Sequence, residues 1–227
     1  MADQNPTPEN ANVVYGSRTE EFINENRKRF VYVIGAVIAL IVLSIGYDEF
    51  IVKPAEAEAN ADMWRAEQYF MSDSTDWAMN GDGLAPSLQD IIDEHAGTSA
   101  AARAAYETGL ILRSQGDFTA ALEAFDSAEM DSELFSVIVD LNRGDCMVEL
   151  GDHSGALSVF SAAARSASGT AGADYLAPMA LWKAATVAIE LGDIDAAASS
   201  LNSILEDYPT SPQNGAAEGL AASLGDS

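Results

Sequence analysis

The side chains that most often perform chemistry are few in this chain. Its histidines are His95 and His153, and its only cysteine is Cys146. A zinc site needs nitrogen or sulfur ligands at short regular spacings such as His-x3-His, and neither histidine has a local ligand of that kind. His95 closes the run Asp90-Ile91-Ile92-Asp93-Glu94-His95, where a cation near a helix C-terminus meets the negative end of the helix dipole. Asp73, Asp76, Asn80 and Asp82 form an acidic loop with the oxygen ligands that calcium takes. The spacing is not that of an EF-hand and the closing Glu is missing, so a capped polar loop is the other reading. Cys146 has no partner for an internal disulfide and falls in an apolar helical stretch, as a small core residue would. No Gly-rich phosphate loop, nucleophile elbow or Cys–His pairing occurs. These absences point away from an enzyme, a cofactor, a metal or a small-molecule substrate, and toward binding.

The elements that would position a binding surface begin with an apolar run, Phe30 to Tyr47, which carries no charged residue. Its eighteen residues reach about 27 Å as a helix, and Phe50-Ile51-Val52 extend the pattern toward the roughly 20 residues that a bilayer needs. Ala55-Glu56-Ala57 imitates a signal-peptidase site, but 29 residues precede the run, too many for a typical signal peptide. A buried helix of a soluble domain is the third reading. Arg18, Arg27, Lys28 and Arg29 lie before the run, while acids crowd its exit alongside Lys53 and Arg65. The positive-inside rule then places the N-terminus in the cytoplasm and residues 48–227 outside, in a bacterium the periplasm. Tyr32 and Tyr47 stand where interfacial aromatics belong. Gly35, Gly46, Ala36 and Ala39 offer small surfaces for helix packing within a membrane. The polar, Pro-containing start (MADQNPTPENAN) reads as disordered.

The charge is lopsided, with 36 acids against 11 bases. Residues 48–227 alone hold 31 acids and seven bases, a balance of −24. Phosphate binding needs clustered Lys and Arg, so nucleic acid is excluded as a partner. Lysine is confined to Lys28, Lys53 and Lys183. A carboxylate-rich surface of this kind belongs either to a high-salt host, where screening relieves its self-repulsion, or simply to an acidic protein.

Beyond the apolar run the hydrophobic pattern is helical throughout. Helix one continues through residues 55–71 with Met63, Trp64, Tyr69 and Phe70, and a loop follows at 72–83. Further helices are expected near 84–95, 98–114, 118–130, 133–149, 153–167, 174–190, 194–207 and 213–223. A Gly-Asp step recurs at Gly116-Asp117, Gly151-Asp152 and Gly192-Asp193, at separations of 35 and 41 residues. Each Gly fits a helix C-terminal cap, and each Asp the N-cap of the next helix. Around each step the register repeats. Seven residues before the glycine stand Gly109, Gly144 and Ala185. Four past the Asp stand Ala121, Ala156 and Ala197, eight past it Phe125, Phe160 and Leu201, and eleven past it Ala128, Ala163 and Ile204. His153 takes the register position of Phe118 and Ile194, which makes it a framework residue. The small positions let two helices of a hairpin approach, and the large residue is expected to plug the next hairpin. This register resembles the tetratricopeptide repeat (TPR), whose unit is about 34 residues. Three units match, roughly 102–135, 137–170 and 178–211. The first-helix aromatic is replaced by Ala105, Asp140 and Leu181, and the closing proline survives only as Pro209. A generic Ala-rich bundle is the competing reading.

The fold class that follows is all-α: a single N-terminal transmembrane helix, then a TPR solenoid of antiparallel hairpins. The expected domains are a cytoplasmic tail at 1–29, the membrane helix at 30–52, a continuing helix and degenerate leading hairpin at 53–97, three units at 98–211, and a C-terminal cap at 212–227. First helices of stacked hairpins line a concave face, and the register assigns Arg103, Tyr106, Leu110, Leu141, Asp145, Trp182 and Thr186 to it. Tyr106 and Trp182 either anchor a bound peptide or helix, or pack between hairpins. The Lys and Asn cluster with which some TPR domains clamp chaperone carboxyl termini is absent. The layout also resembles bacterial inner-membrane TPR proteins of the YfgM-like type. The likeness is strongest to Bacteroidetes versions, at Gly46-Tyr47, Trp64-Arg65-Ala66-Glu67-Gln68-Tyr69-Phe70, Asn80-Gly81-Asp82-Gly83 and residues 90–95. That resemblance implies an ancillary subunit of the Sec translocon, whose partners are translocon subunits, periplasmic folding factors or exported clients. The alternative is a structural scaffold subunit of an envelope complex. The two readings of the acidity separate by thermal melting: a salt-adapted chain gains stability between low and molar salt, and a chain that gains none is merely acidic.

Overall fold

The computed structural model describes residues 26–225, and the expectations for the extreme N-terminus, Arg18 included, lie outside them. Every regular element among the described residues is helical. The chain divides into two compact units, residues 1–54 and 55–227. The first holds α1, Arg27–Tyr47, followed by a π-helical turn at Asp48–Val52. No residue of α1 is buried, and its helix is the one among the described residues that is long and apolar enough to cross a membrane.

The second unit is built of hairpins. It takes in most of α2 (Lys53–Met71), then α3 (Thr75–Asn80), α4 (Leu88–Glu94), α5 (Ser99–Ser114), α6 (Phe118–Asp126), α7 (Glu133–Glu149), α8 (His153–Ala167), α9 (Ala173–Glu190), α10 (Ile194–Asp207) and α11 (Asn214–Gly225). Three expected boundaries move. The loop at 72–83 contains α3. The helix expected from residue 84 begins only at Leu88, because Pro86 precedes a capping box in which Ser87 and Asp90 satisfy each other's backbone amides. The helix expected to reach residue 130 stops at Asp126, with Ser127 as its C-cap.

The Gly-Asp steps close three hairpins in the same way. Gly116, Gly151 and Gly192 have φ of 82°, 82° and 75°, a region that other residues enter only with strain. At the first turn Asp117 N donates to Leu112 O at 3.0 Å and Gly116 N to Arg113 O at 3.0 Å, the two bonds of a Schellman motif. The other two turns repeat both bonds. Each Asp then caps the following helix, with Oδ1 accepting from Ala120 N, Gly155 N and Ala196 N at 3.1, 2.9 and 3.0 Å.

The core is a row of clusters, each shared between successive hairpins. Met63, Leu88, Ile91 and Ile111 form one. Phe125, Val139 and Cys146 belong to the next, followed by Phe160 with Leu141 and Ala180, then Leu201 with Ala185 and Ala217. Each unit buries its apolar face only against its neighbour, as in other solenoids. Ala121, Ala128, Ala156, Ala163 and Ile204 are buried in these clusters, and Ala197 is buried as well.

The large residue does more than plug the next hairpin: it first closes its own. A Cβ built on Gly109 would come within 2.5 Å of the Phe125 ring, and one on Gly144 would run into the ring of Phe160. The ring therefore lies directly on the backbone of the facing helix. In the third hairpin the small residue is Ala185 and the large one Leu201, both fully buried; the extra methyl on one side accompanies a smaller side chain on the other. Gly144→Ala is thus expected to cost about 1–3 kcal/mol by overpacking. Adding Phe160→Leu should return part of that loss, the sign of coupling between touching residues. Chemical denaturation of both variants tests this, and additive losses would refute the contact.

Candidate protein-binding surface

The first helices of the three hairpins, α5, α7 and α9, lie side by side, α5 touching α7 and α7 touching α9. A charged strap ties them. Asp145 of α7 accepts from Lys183 Nζ of α9 at 2.6 Å and from Arg113 of α5 at 3.3 Å. Lys183 also sits 5.6 Å from the centroid of the Phe160 ring, within cation–π range. Asp145, Arg113, Lys183 and Thr186 line a cleft of about 340 Å³. Asp145, Arg113 and Lys183 are thus paired with one another, while Glu149 adds a further carboxylate to the lining.

A second groove, about 450 Å³, lies between α2, α5 and the linker to α7. Its apolar lining is Phe70, Ala102, Tyr106, Met130 and Phe135, and its polar lining includes Arg103 and Glu107. Phe135 is 52% exposed, so the groove presents aromatic surface to solvent. Tyr106 is half-buried, with its ring centroid 5.9 Å from that of Phe125. Burial pushes its phenol pKa up. The Arg103 guanidinium donates to Asn60 Oδ1 at 2.8 Å, while its Nε is buried without a hydrogen-bond partner.

The seven residues assigned to the concave face therefore separate. Arg103 and Tyr106 line the apolar groove, and Asp145 and Thr186 line the charged cleft. Leu110 packs against the cluster around Phe125. Leu141 is only 5% exposed and belongs to the Phe160 cluster, so its assignment to an open face is corrected: the apolar stripe of α7 is wide enough to carry it inward. Trp182 packs on the cluster of Leu201 and Ile204. The Thr186 hydroxyl donates to the carbonyls of Trp182 and Lys183 in its own helix.

Glu107 was not among the expected residues. It lies on the buried stripe of α5, in phase with Ala100, Ala104 and Ile111, and is 7% exposed. Its Oε2 has no hydrogen-bond partner. Burial pushes its carboxyl up to about 7; the charge of Glu67 adds to the rise and Arg103 opposes it. An acid in phase with an apolar stripe is a readable anomaly.

Several side chains with metal-ligating chemistry contact other groups of the protein. Asp82 accepts from the Tyr69 hydroxyl at 2.6 Å and from the amides of Leu84 and Ala85, with Arg65 Nε at 3.7 Å. The Tyr69 bond is the main reason its carboxyl sits below the usual range. His95 Nε2 lies 2.8 Å from Asp62 Oδ2, and His153 Nδ1 3.2 Å from Glu190 Oε2. Cys146 is fully buried, and burial pushes its thiol up. Among the described residues no three His, Cys, Asp or Glu side chains converge as metal ligands.

A model of the tetratricopeptide repeat matches residues 85–134 and 141–212, more than half of the chain. The first match begins before α4, upstream of the three units read from the Gly-Asp steps. No curated protein matches significantly.

Glu107 sets a pH dependence of stability. Its folded pKa is above that of a free Glu, so the folded chain binds more protons between about 4.3 and 7. Stability is present below that window and lost as pH rises through 7. Glu107→Gln should therefore stabilise the protein at pH 8 by on the order of 1–3 kcal/mol relative to its effect at pH 4. Urea denaturation at both pH values tests the sign.

Proposed function

We propose that this chain, which belongs to the tetratricopeptide repeat family, is a membrane-tethered module that binds polypeptides through its first-helix face. Repeats of this family are protein-interaction modules. The observation that carries the reading is the open apolar groove at Tyr106, Met130 and Phe135. An extended segment gains affinity by burying apolar side chains in such a groove.

The finer reading is an ancillary adaptor that links the Sec translocon to periplasmic chaperones or to exported clients. In it, residues 30–52 span the bacterial inner membrane. Arg27-Lys28-Arg29 keeps the tail at 1–29 cytoplasmic, and the repeats at 98–211 stand in the periplasm, after a leading hairpin at 53–97 and before a cap at 212–227. The competing reading, a scaffold subunit of an envelope complex, draws on α1. A Cβ at Gly35 or at Gly46 would meet nothing within 4 Å, which leaves both glycines open to a helix neighbour.

A photo-crosslinking residue placed in cells at Phe135 separates these readings, with Trp182 as the packed control. Adducts of many masses from position 135 are expected for an adaptor that handles clients. One discrete adduct fits a dedicated partner, and none would remove the groove from consideration. Pull-down of the full chain in mild detergent without any translocon component or folding factor would overturn the finer reading.

A further inference from the structure

We infer that the groove between α2, α5 and the α6–α7 linker receives a lysine or arginine side chain of a bound polypeptide, with Glu107 as its buried counter-charge. The inference rests on the polypeptide-binding reading above and names the chemistry that the groove selects.

Glu107 lies four residues after Arg103 on the same helix, the spacing at which opposite charges normally pair. They form no ion pair here. Arg103 reaches away to Asn60 across to α2, leaving its own Nε and the Glu107 Oε2 buried without partners. A carboxylate 93% removed from solvent and left without a donor is costly in a finished core. It is accounted for if the donor arrives with a ligand, because Glu107 lines the groove rather than a sealed interior.

The surroundings fix the sign and shape of that ligand. Glu67 on α2 and Glu129 and Asp131 on the linker also line the groove, and Arg103 is its only cation. An anion meets net repulsion there, whereas a cation meets Glu107 at the base and carboxylates around it. The walls between are Phe70, Tyr106, Met130 and Phe135. A long aliphatic stem ending in a charge suits such walls: methylenes lie along the aromatic and thioether surfaces while the head group reaches the carboxylate. Lysine and arginine have that form. Phe135, at the exposed end, is placed to meet the apolar residue beside the cation.

Proton and cation then compete for Glu107. Glu67 from α2 and Arg103 from α5 act on its charge, and Tyr106 of α5 with Glu129 and Asp131 of the linker line the same groove. Near neutral pH the carboxyl is partly protonated, so a basic side chain must displace the proton. Affinity should rise from pH 6 to pH 8.

The test uses the full-length chain in detergent and fluorescent peptides with one lysine set among leucines. Control peptides replace that lysine by norleucine or by glutamate. Anisotropy titrations should show the lysine peptide binding about tenfold or more tighter than the norleucine peptide, and the glutamate peptide weakest. Glu107→Gln, checked by thermal melting for retained fold, should abolish the lysine preference and its pH dependence. Phe135→Ala should weaken lysine and norleucine peptides alike. A lysine preference that survives Glu107→Gln comes from the general acidity of the chain and overturns the inference. So does equal binding of lysine and norleucine peptides, although the groove then still stands as a polypeptide site. Binding of none of the peptides overturns both.

Discussion

The contact on which this architecture depends is an aromatic ring laid on bare backbone. Phe125 covers Gly109 and Phe160 covers Gly144, each across the two helices of one hairpin. The absence of a Cβ sets the approach of the helices, and the ring fills the space that results. A hairpin held at that separation presents the rest of its apolar surface at a fixed angle to the next. Val139 and Cys146 of α7 pack into the cluster around Phe125, and Leu141 and Ala180 into that around Phe160. Long-range order thus follows from a short-range fit repeated along the chain. The third hairpin shows that the summed volume matters, with Ala185 facing the smaller Leu201.

With the hairpins fixed, the first helices come side by side and their polar side chains acquire partners that no single unit could offer. Asp145 is satisfied only because α5 and α9 deliver Arg113 and Lys183 to it from either side. The three helices are thereby held in register by charge as well as by packing. Asp82 follows the same rule with Tyr69 and two backbone amides. Glu107 departs from it. A carboxyl on the buried stripe without a donor is a local conflict of the kind proteins keep at functional positions.

How much of this was legible in the sequence depended on how local the physics is. The Gly-Asp turns could be read because a positive φ and an N-cap are demands on single residues, met by residue type alone. The small and large positions could be read as a register, but not which surfaces meet. Gly144 stands seven residues before Gly151 and Phe160 nine after it, and only the closed turn shows that these positions face each other. The repeat register alone places Leu141 on the open face. The stripe buried by α7 is broader than that register allows. Phe70, Met130 and Phe135 come from three segments that converge only in the fold. Glu107 carried a signal, its phase with Ala104 and Ile111, that composition conceals because acids in so acidic a chain read as surface.

That acidity also bears on how recognition works here. Carboxylates spread over a surface attract any basic segment, and at physiological ionic strength their reach is limited to roughly 8 Å. Such attraction raises encounter rates but discriminates little among cations. Selection needs a charge that water and salt do not screen. Glu107 is the acid on this surface that is both buried and open to a groove. Its desolvation, which destabilises the empty fold when ionised, is what makes a correctly placed ammonium or guanidinium worth more there than at Glu129 or Asp131. Stability and selectivity at this position are therefore opposed. The raised carboxyl pKa moderates the opposition, because a proton can occupy the site until a cation displaces it.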